Sequence, residues 1–123
     1  METEDKTADS LPWQKDLRKI QNLKDNWDNE GACAINRLAI KNVQHLMKTV
    51  NINVASSLRL HPTPLGAVGI MFETKQGRIK GEVGDVALSY FVKRPDAQTE
   101  YYSFEPANEE TFVVLARKLE SIA

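Results

Sequence analysis

The spacing of apolar residues predicts a first amphipathic helix near the start of the chain. Its apolar stripe follows the helical period through Trp13, Leu17, Ile20, Leu23 and Trp27. Asp9 or Ser10 is the expected N-cap, and Pro12 is tolerated in an opening turn. The polar segment Asn26–Ala32, called the joint below, is expected to end this helix at its glycine-containing turn.

The same period predicts a second helix over about 37–50, capped by Asn36, and a third helix at the end of the chain. The third helix opens at 106–110, where Glu109 and Glu110 favour a helix start. Because the connection between the first two helices is short, we expect them to form an antiparallel pair. The apolar stripe of the last helix consists of Phe112, Leu115, Ala116, Leu119 and Ile122.

Between residues 57 and 104 the apolar period changes to two, which predicts four or five strands. Short turns separate these strands, and parallel neighbours would need long crossovers. We therefore predict a single α+β domain over 11–123, with an antiparallel meander and the last helix packed on one sheet face. Residues 1–10 are predicted to be a disordered acidic leader. The alternating positions are Leu58 and Leu60, then Val68, Ile70 and Phe72, then Ile79 and Val83, then Val86, Leu88, Tyr90 and Val92, and finally Tyr101–Phe104.

Composition narrows the class of protein. The 123 residues are 41% hydrophobic and 27% charged, as in ordinary globular domains. No apolar run approaches the roughly 20 residues that cross a bilayer. The single cysteine, Cys33, permits no internal disulfide and fits a reducing compartment. We expect a cytoplasmic protein with no membrane partner.

The joint has part of a calcium-loop pattern. Its first, third, fifth and sixth places are filled by Asn26, Asp28, Glu30 and Gly31. The twelfth place, where a glutamate should close the site, is Arg37, whose charge would repel the ion. We therefore interpret the joint as structural: Trp27 packs under the corner, Asp28 or Asn29 bonds to the backbone, and Gly31 has a positive φ.

The joint between two helices, followed by the Pro62–Gly66 turn and a hairpin ending at Gly81–Gly84, resembles a group of small bacterial proteins of unassigned function. The resemblance covers about residues 11–92. It implies the architecture and a bacterial source, and it implies no activity.

Basic residues concentrate in the middle of the chain, where residues 31–81 contain seven of them against one acid, Glu73. This asymmetry suggests an anionic ligand or partner, or charge complementarity within the domain. A solvated helix face is the alternative interpretation of the helical residues. The connection between the first two helices is too long for a helix-turn-helix motif. The candidate anion- or partner-binding residues are Arg37, Lys41, Lys48, Arg59, Arg78 and Lys80.

Residues that carry catalytic or metal chemistry are few. Cys33 has two candidate imidazole partners, His45 and His61, which lie in different predicted elements. We expect Cys33 to be a small packed residue. No zinc-type spacing of cysteine or histidine is present. We predict no metal, no cofactor and no catalytic residue. The hairpin carboxylates Glu73, Glu82 and Asp85 are expected to solvate or blunt a sheet edge.

Tyr101 and Tyr102 are the candidate interface residues, since alternation sends them to opposite faces of the sheet and exposes at least one of them. The leading hypothesis is a non-catalytic protein-interaction or regulatory module, with another protein or a second copy as partner. The alternative is a nucleic-acid or polyanion binder that uses the basic 37–80 segment. A third hypothesis is a small enzyme that uses Cys33, His61 or the hairpin carboxylates.

Overall fold

A computed structural model describes residues 11–123 and shows an α+β domain, as predicted. Four helices and five strands occur in this range. None of these helices has the length and apolar character needed to cross a membrane. In chain order the elements are α1 (Pro12–Gln21), α2 (Arg37–Thr49), α3 (Ile52–Ala55), β1 (Arg59–Pro62), β2 (Val68–Thr74), β3 (Gly77–Val83), β4 (Ala87–Lys93), β5 (Glu100–Pro106) and α4 (Glu109–Ser121).

The predicted antiparallel sheet is confirmed, with five strands in the order β1-β2-β3-β4-β5. Its register places the buried strand residues on one face, because paired positions share a face. Leu60 pairs with Ile70, Phe72 pairs with Ile79, and Val83 pairs with Leu88. Each of the four helices adds buried side chains to the single core that forms on this face.

The opposite face of the sheet, called the open face below, is polar and aromatic. It is defined by the alternate register positions, which run across all five strands. These positions are Arg59, His61, Gly69, Met71, Glu73, Arg78, Lys80, Glu82, Ser89, Phe91, Lys93 and Tyr101. Within residues 11–123 the buried side chains of the helices belong to the core on the other face, so this part of the chain has a helix layer and a sheet layer.

Helix α1 is shorter than the apolar spacing predicts. It ends at Gln21 with Asn22 as C-cap, so Leu23 and Trp27 lie beyond it. The side-chain amide of Asn22 donates to the Arg18 carbonyl and helps to end the helix. At the other end Leu11 is the N-cap, and its backbone N–H donates to the Gln14 side chain at 3.0 Å. The caps expected at residues 9 and 10, and the leader, lie outside the described residues.

Smaller differences occur elsewhere. The short α3 was not predicted, and Asn51 caps it by accepting from the Val54 N–H. The predicted Asn36 cap of α2 is confirmed, since its side chain accepts from the Leu38 N–H. Val86 was expected to share the buried face of β4, but it precedes the strand and is exposed.

The first helix lies against the edge strand β1. The Asp16 carboxylate accepts from the backbone N–H of Leu60 at 3.0 Å and from the Arg59 guanidinium. Helix α2 packs against α4 and the inner strands. The antiparallel pairing of the first two helices stays a prediction.

Candidate functional site

The side chains of the joint are engaged with its own backbone. Asp28 Oδ1 accepts from the N–H groups of Glu30 and Ala32 at 2.8 and 3.0 Å, and these bonds lower the pKa of the Asp28 carboxyl. Asn26 Oδ1 accepts from the Gly31 N–H at 2.8 Å. Gly31 has the expected positive φ of 87°, which glycine adopts without strain because it has no Cβ atom. Oxygens of the calcium-like pattern thus stabilise a turn.

The joint is also attached to the loop at 62–66. Trp27 Nε1 donates to the Cys33 carbonyl at 2.8 Å, and the Cys33 N–H donates to the Pro64 carbonyl at 2.8 Å. The expectation that Cys33 is packed is wrong: it is exposed, and its neighbour Ala32 takes the buried position. What Cys33 contributes to this contact is its backbone.

The six basic candidates divide between two layers of the domain. Arg37, Lys41 and Lys48 are exposed on α2. The buried side of α2 packs on the face of the sheet opposite the open face, called the covered face below. The other three candidates, Arg59, Arg78 and Lys80, lie on the open face. The sheet therefore separates the two trios, and they do not form one surface.

On the outer surface of the helices, a shallow depression of about 520 Å³ lies between α2 and α4. Lys41, His45 and Lys48 line it from α2, and Glu109 lines it from α4. His45 Nε2 and Glu109 Oε1 are 2.6 Å apart, and the His45 ring lies 5.2 Å from that of Phe112. The Glu109 carboxylate places a negative charge among these cations.

On the open face, Arg59 is already paired. Its guanidinium makes two bonds of 2.8 Å to the Asp16 carboxylate. This hydrogen bond lowers the pKa of Asp16, whose side chain is only 12% exposed. Arg59 therefore fixes α1 to β1.

The centre of the open face is a groove of about 440 Å³. Lys80, Phe91 and Tyr101 occupy directly paired positions on β3, β4 and β5 along it. The rings of Phe91 and Tyr101 have centroids 6.2 Å apart at an angle of 51°, and Tyr101 is 75% exposed. The Arg78 guanidinium carbon lies 6.0 Å from the centroid of the Phe91 ring. The groove thus combines two aromatic rings with the Lys80 cation, and Arg78 lies beside it.

The first strand supplies an imidazole to this groove. A Cβ atom built on Gly69 would lie 2.0 Å from His61 Nε2, so the imidazole occupies the space in which any other residue would place a side chain. Glycine at position 69 lets His61 lie across β2 and line the groove.

Comparison with known proteins assigns no family to this chain. No protein-family model matches it, and searches of curated proteins and of solved structures return no match. The resemblance to small bacterial proteins stays a prediction.

The two tyrosines proposed for an interface have different surroundings. Tyr102 faces the covered side: its ring stacks on Tyr90 at 4.8 Å, and its hydroxyl donates to Glu100 at 2.6 Å. Tyr101 alone lies on the open face, beside Phe91.

Phe91 and Phe104 were missed as candidates. The burial of Leu88, Tyr90 and Val92 implies that Phe91 lies on the other face, so the alternation was a sufficient signal for it. Phe104 is 84% exposed with φ 54° at a β-bulge, where its N–H donates to Ser89 Oγ at 2.9 Å. No local pattern indicated that bulge.

Among the described residues no three histidine, cysteine or acidic side chains come together as a metal site. The three hairpin carboxylates are also spread out: Glu73 pairs across the strands with Arg78, and Glu82 lines the open-face groove. Asp85 lies in the turn before β4, where its carbonyl accepts from Asn42.

Proposed function

We propose that this protein is a non-catalytic binding module that holds its partner on the open face of the sheet. The observation that carries the proposal is the row of side chains at paired positions across all five strands: Arg59, Met71, Lys80, Phe91 and Tyr101. Aromatic residues, methionine and arginine are the types enriched in protein interfaces. A sheet face that carries them beside a groove is suited to recognition.

The two sheet edges support recognition by the face in preference to strand addition. At the β1 edge, Asp16 accepts from the Leu60 N–H that an added strand would use. At the other edge, the bulge at Ser103–Phe104 interrupts β5. Both devices oppose pairing with another strand, and neither covers the open face.

The distribution of reactive residues gives the enzyme hypothesis less support. His61 lies on the open face, His45 lies on α2, and Cys33 directly follows the joint. The exposed ring of Tyr101 beside the half-buried ring of Phe91 is a binding feature that requires no chemical step. A cytoplasmic location and a bacterial source stay predictions from the sequence.

A photo-crosslinking amino acid tests which face meets a partner. We would place benzoylphenylalanine at position 101 on the open face, and in a matched control at position 52, because Ile52 is exposed on the helix side. Irradiation in the source organism should give a discrete crosslinked species from position 101 that is absent from position 52. A species of twice the chain mass would identify a second copy as the partner. Identical patterns from the two positions would contradict the proposal.

A further inference from the structure

The open face combines stacking rings with cations in a way that selects among partner chemistries. Phe91 and Tyr101 are direct cross-strand neighbours, and Lys80 is the neighbour of Phe91 on its other side. Exposed aromatic rings provide stacking surfaces for nucleic-acid bases, and flanking cations attract the phosphates. The arrangement therefore offers both contacts that a single strand of nucleic acid uses.

The shape of the surface favours a chain over a single nucleotide. A second groove of about 330 Å³ is lined by Glu73, Lys75, Arg78, Lys93 and Arg94. Arg78 belongs to this second groove, and Phe91 belongs to the first. The Arg78 guanidinium lies 6.0 Å from the centroid of the Phe91 ring, and this contact connects the two grooves into a track. The first groove alone crosses from His61 on β1 to Tyr101 on β5, which is four strand spacings or about 19 Å.

The charges along the track are positive but modest. Arg78, Lys80 and Lys93 lie on the open face against Glu73 and Glu82, while Arg59 is neutralised by Asp16. Arg78 Nε is buried and has no hydrogen-bond partner within residues 11–123. Stacking would therefore contribute much of the affinity, with about three phosphates paired to cations.

We infer that the partner on the open face is single-stranded nucleic acid, with bases stacked on Phe91 and Tyr101 and phosphates near Arg78, Lys80 and Lys93. This inference rests on the proposed function and names the chemistry of its ligand. A duplex keeps its bases stacked on one another, so it cannot use the two rings and should bind more weakly.

Fluorescence anisotropy tests the inference with labelled 12-nucleotide dT and rU strands at about 50 mM salt. A 12-base-pair duplex, a mononucleotide and a 12-residue polyglutamate peptide serve as comparators. We expect the single strands to bind more tightly than all three comparators. The slope of log affinity against log salt should be about −2, from three phosphates on a single strand.

Variants locate the site. Tyr101→Ala should weaken binding at least fivefold, as loss of one stacked base does, and Tyr101→Phe should retain it. Lys80→Gln should weaken binding and reduce the salt slope by about 0.7. The matched control is the double change Lys41→Gln and Lys48→Gln, which removes two exposed lysines from the helix layer and should leave the affinity unchanged. Since Tyr101 is exposed, circular dichroism should show unchanged folding in its variants.

Several outcomes would overturn the inference. The first is that neither strand binds at about 100 µM protein, a concentration at which even weak non-specific binding is detected. The second is that strand and duplex bind equally well. The third is that binding is lost only in the Lys41 and Lys48 variant. A crosslink from position 101 to a protein, without strand binding, would overturn the nucleic-acid ligand and leave the proposed function standing. Absence of both a position-specific crosslink and strand binding would overturn both.

Discussion

At the scale of single residues, Asp16 holds the first helix to the sheet. Its carboxylate accepts from the Leu60 N–H and from the Arg59 guanidinium. We expect Asp16→Ala to lower the free energy of unfolding by about 1–3 kcal/mol, because the Leu60 N–H loses its acceptor. Arg59→Ala should cost less, since Arg59 is exposed and Leu60 keeps its bond. Urea unfolding at pH 7 measures both, and a larger loss for Arg59→Ala would contradict this account.

Asp16 also makes the stability of the domain depend on pH. Arg59 lowers the pKa of Asp16 below its ordinary value of 3.8, so the folded state favours the ionised carboxylate. Its stabilisation is complete above that ordinary value and is lost as the pH falls through the lowered pKa. The difference in the free energy of unfolding between the wild type and Asp16→Ala should therefore become smaller below pH 3.8. A constant difference across this range would count against the ion pair as its source.

Two glycines in the sheet provide a test of how close contacts are tolerated. A Cβ on Gly81 would lie 2.3 Å from the Ser89 carbonyl oxygen, whereas a Cβ on Gly69 would meet the His61 side chain. Backbone cannot move aside locally, but an exposed imidazole can rotate. We expect Gly81→Ala to cost about 1–3 kcal/mol in unfolding free energy and Gly69→Ala clearly less. Equal losses in urea titrations would show that the His61 ring is held as firmly as the backbone.

At the scale of elements, the bulge in β5 places a bulky residue in the left-handed region. Phe104 has φ 54° and is 84% exposed, so its ring gains little from burial to offset the strain. We expect Phe104→Gly to raise the free energy of unfolding by about 0.5–1 kcal/mol, since glycine removes a left-handed penalty of about 1–2 kcal/mol. Thermal unfolding measures the change.

The matched change lies in the same strand. Tyr101 is also exposed but has no positive φ, so Tyr101→Gly should lower stability through lost strand propensity. If both glycine variants lose stability to the same degree, the positive φ of Phe104 causes no strain that a glycine would relieve.

The elements also show what the sequence could predict. Alternation over residues 68–92 predicts the paired strands because the large apolar side chains of the core recur at every second position. The end of α1 was placed too late because Leu23 and Trp27 continue the apolar spacing, while the chain turns at Asn22. Hydrogen bonds of Asn22 to the Arg18 and Lys19 carbonyls close that turn, and the spacing of apolar residues does not report such bonds. The same reason separates the two basic trios, since spacing along the chain does not say which side of a sheet a helix covers.

At the scale of the whole molecule, the two faces of one sheet carry different side chains. The covered face holds the core and the stacked pair Tyr90 and Tyr102, whereas the open face presents Phe91 and Tyr101. Substitutions on the open face should therefore change binding more than stability, and substitutions among the covered aromatics should do the reverse. The domain thus allows recognition and folding to be tested separately.

Tyr90 supplies the test of the covered face. Burial, together with Tyr102 and nearby carboxylates, raises its pKa from 10.0 to about 12. A raised pKa means that the folded state favours the neutral phenol, so this stabilisation is present below pH 10 and is lost as the pH rises to about 12. We expect the urea midpoint of the wild type to fall more steeply between these values than that of Tyr90→Phe, which has no phenol to ionise. Tyr101→Phe is the control on the open face, and it should follow the wild-type curve because the Tyr101 side chain is exposed to water in both states. If Tyr90→Phe loses stability with alkali as steeply as the wild type does, the ionisation that unfolds the domain belongs to another group.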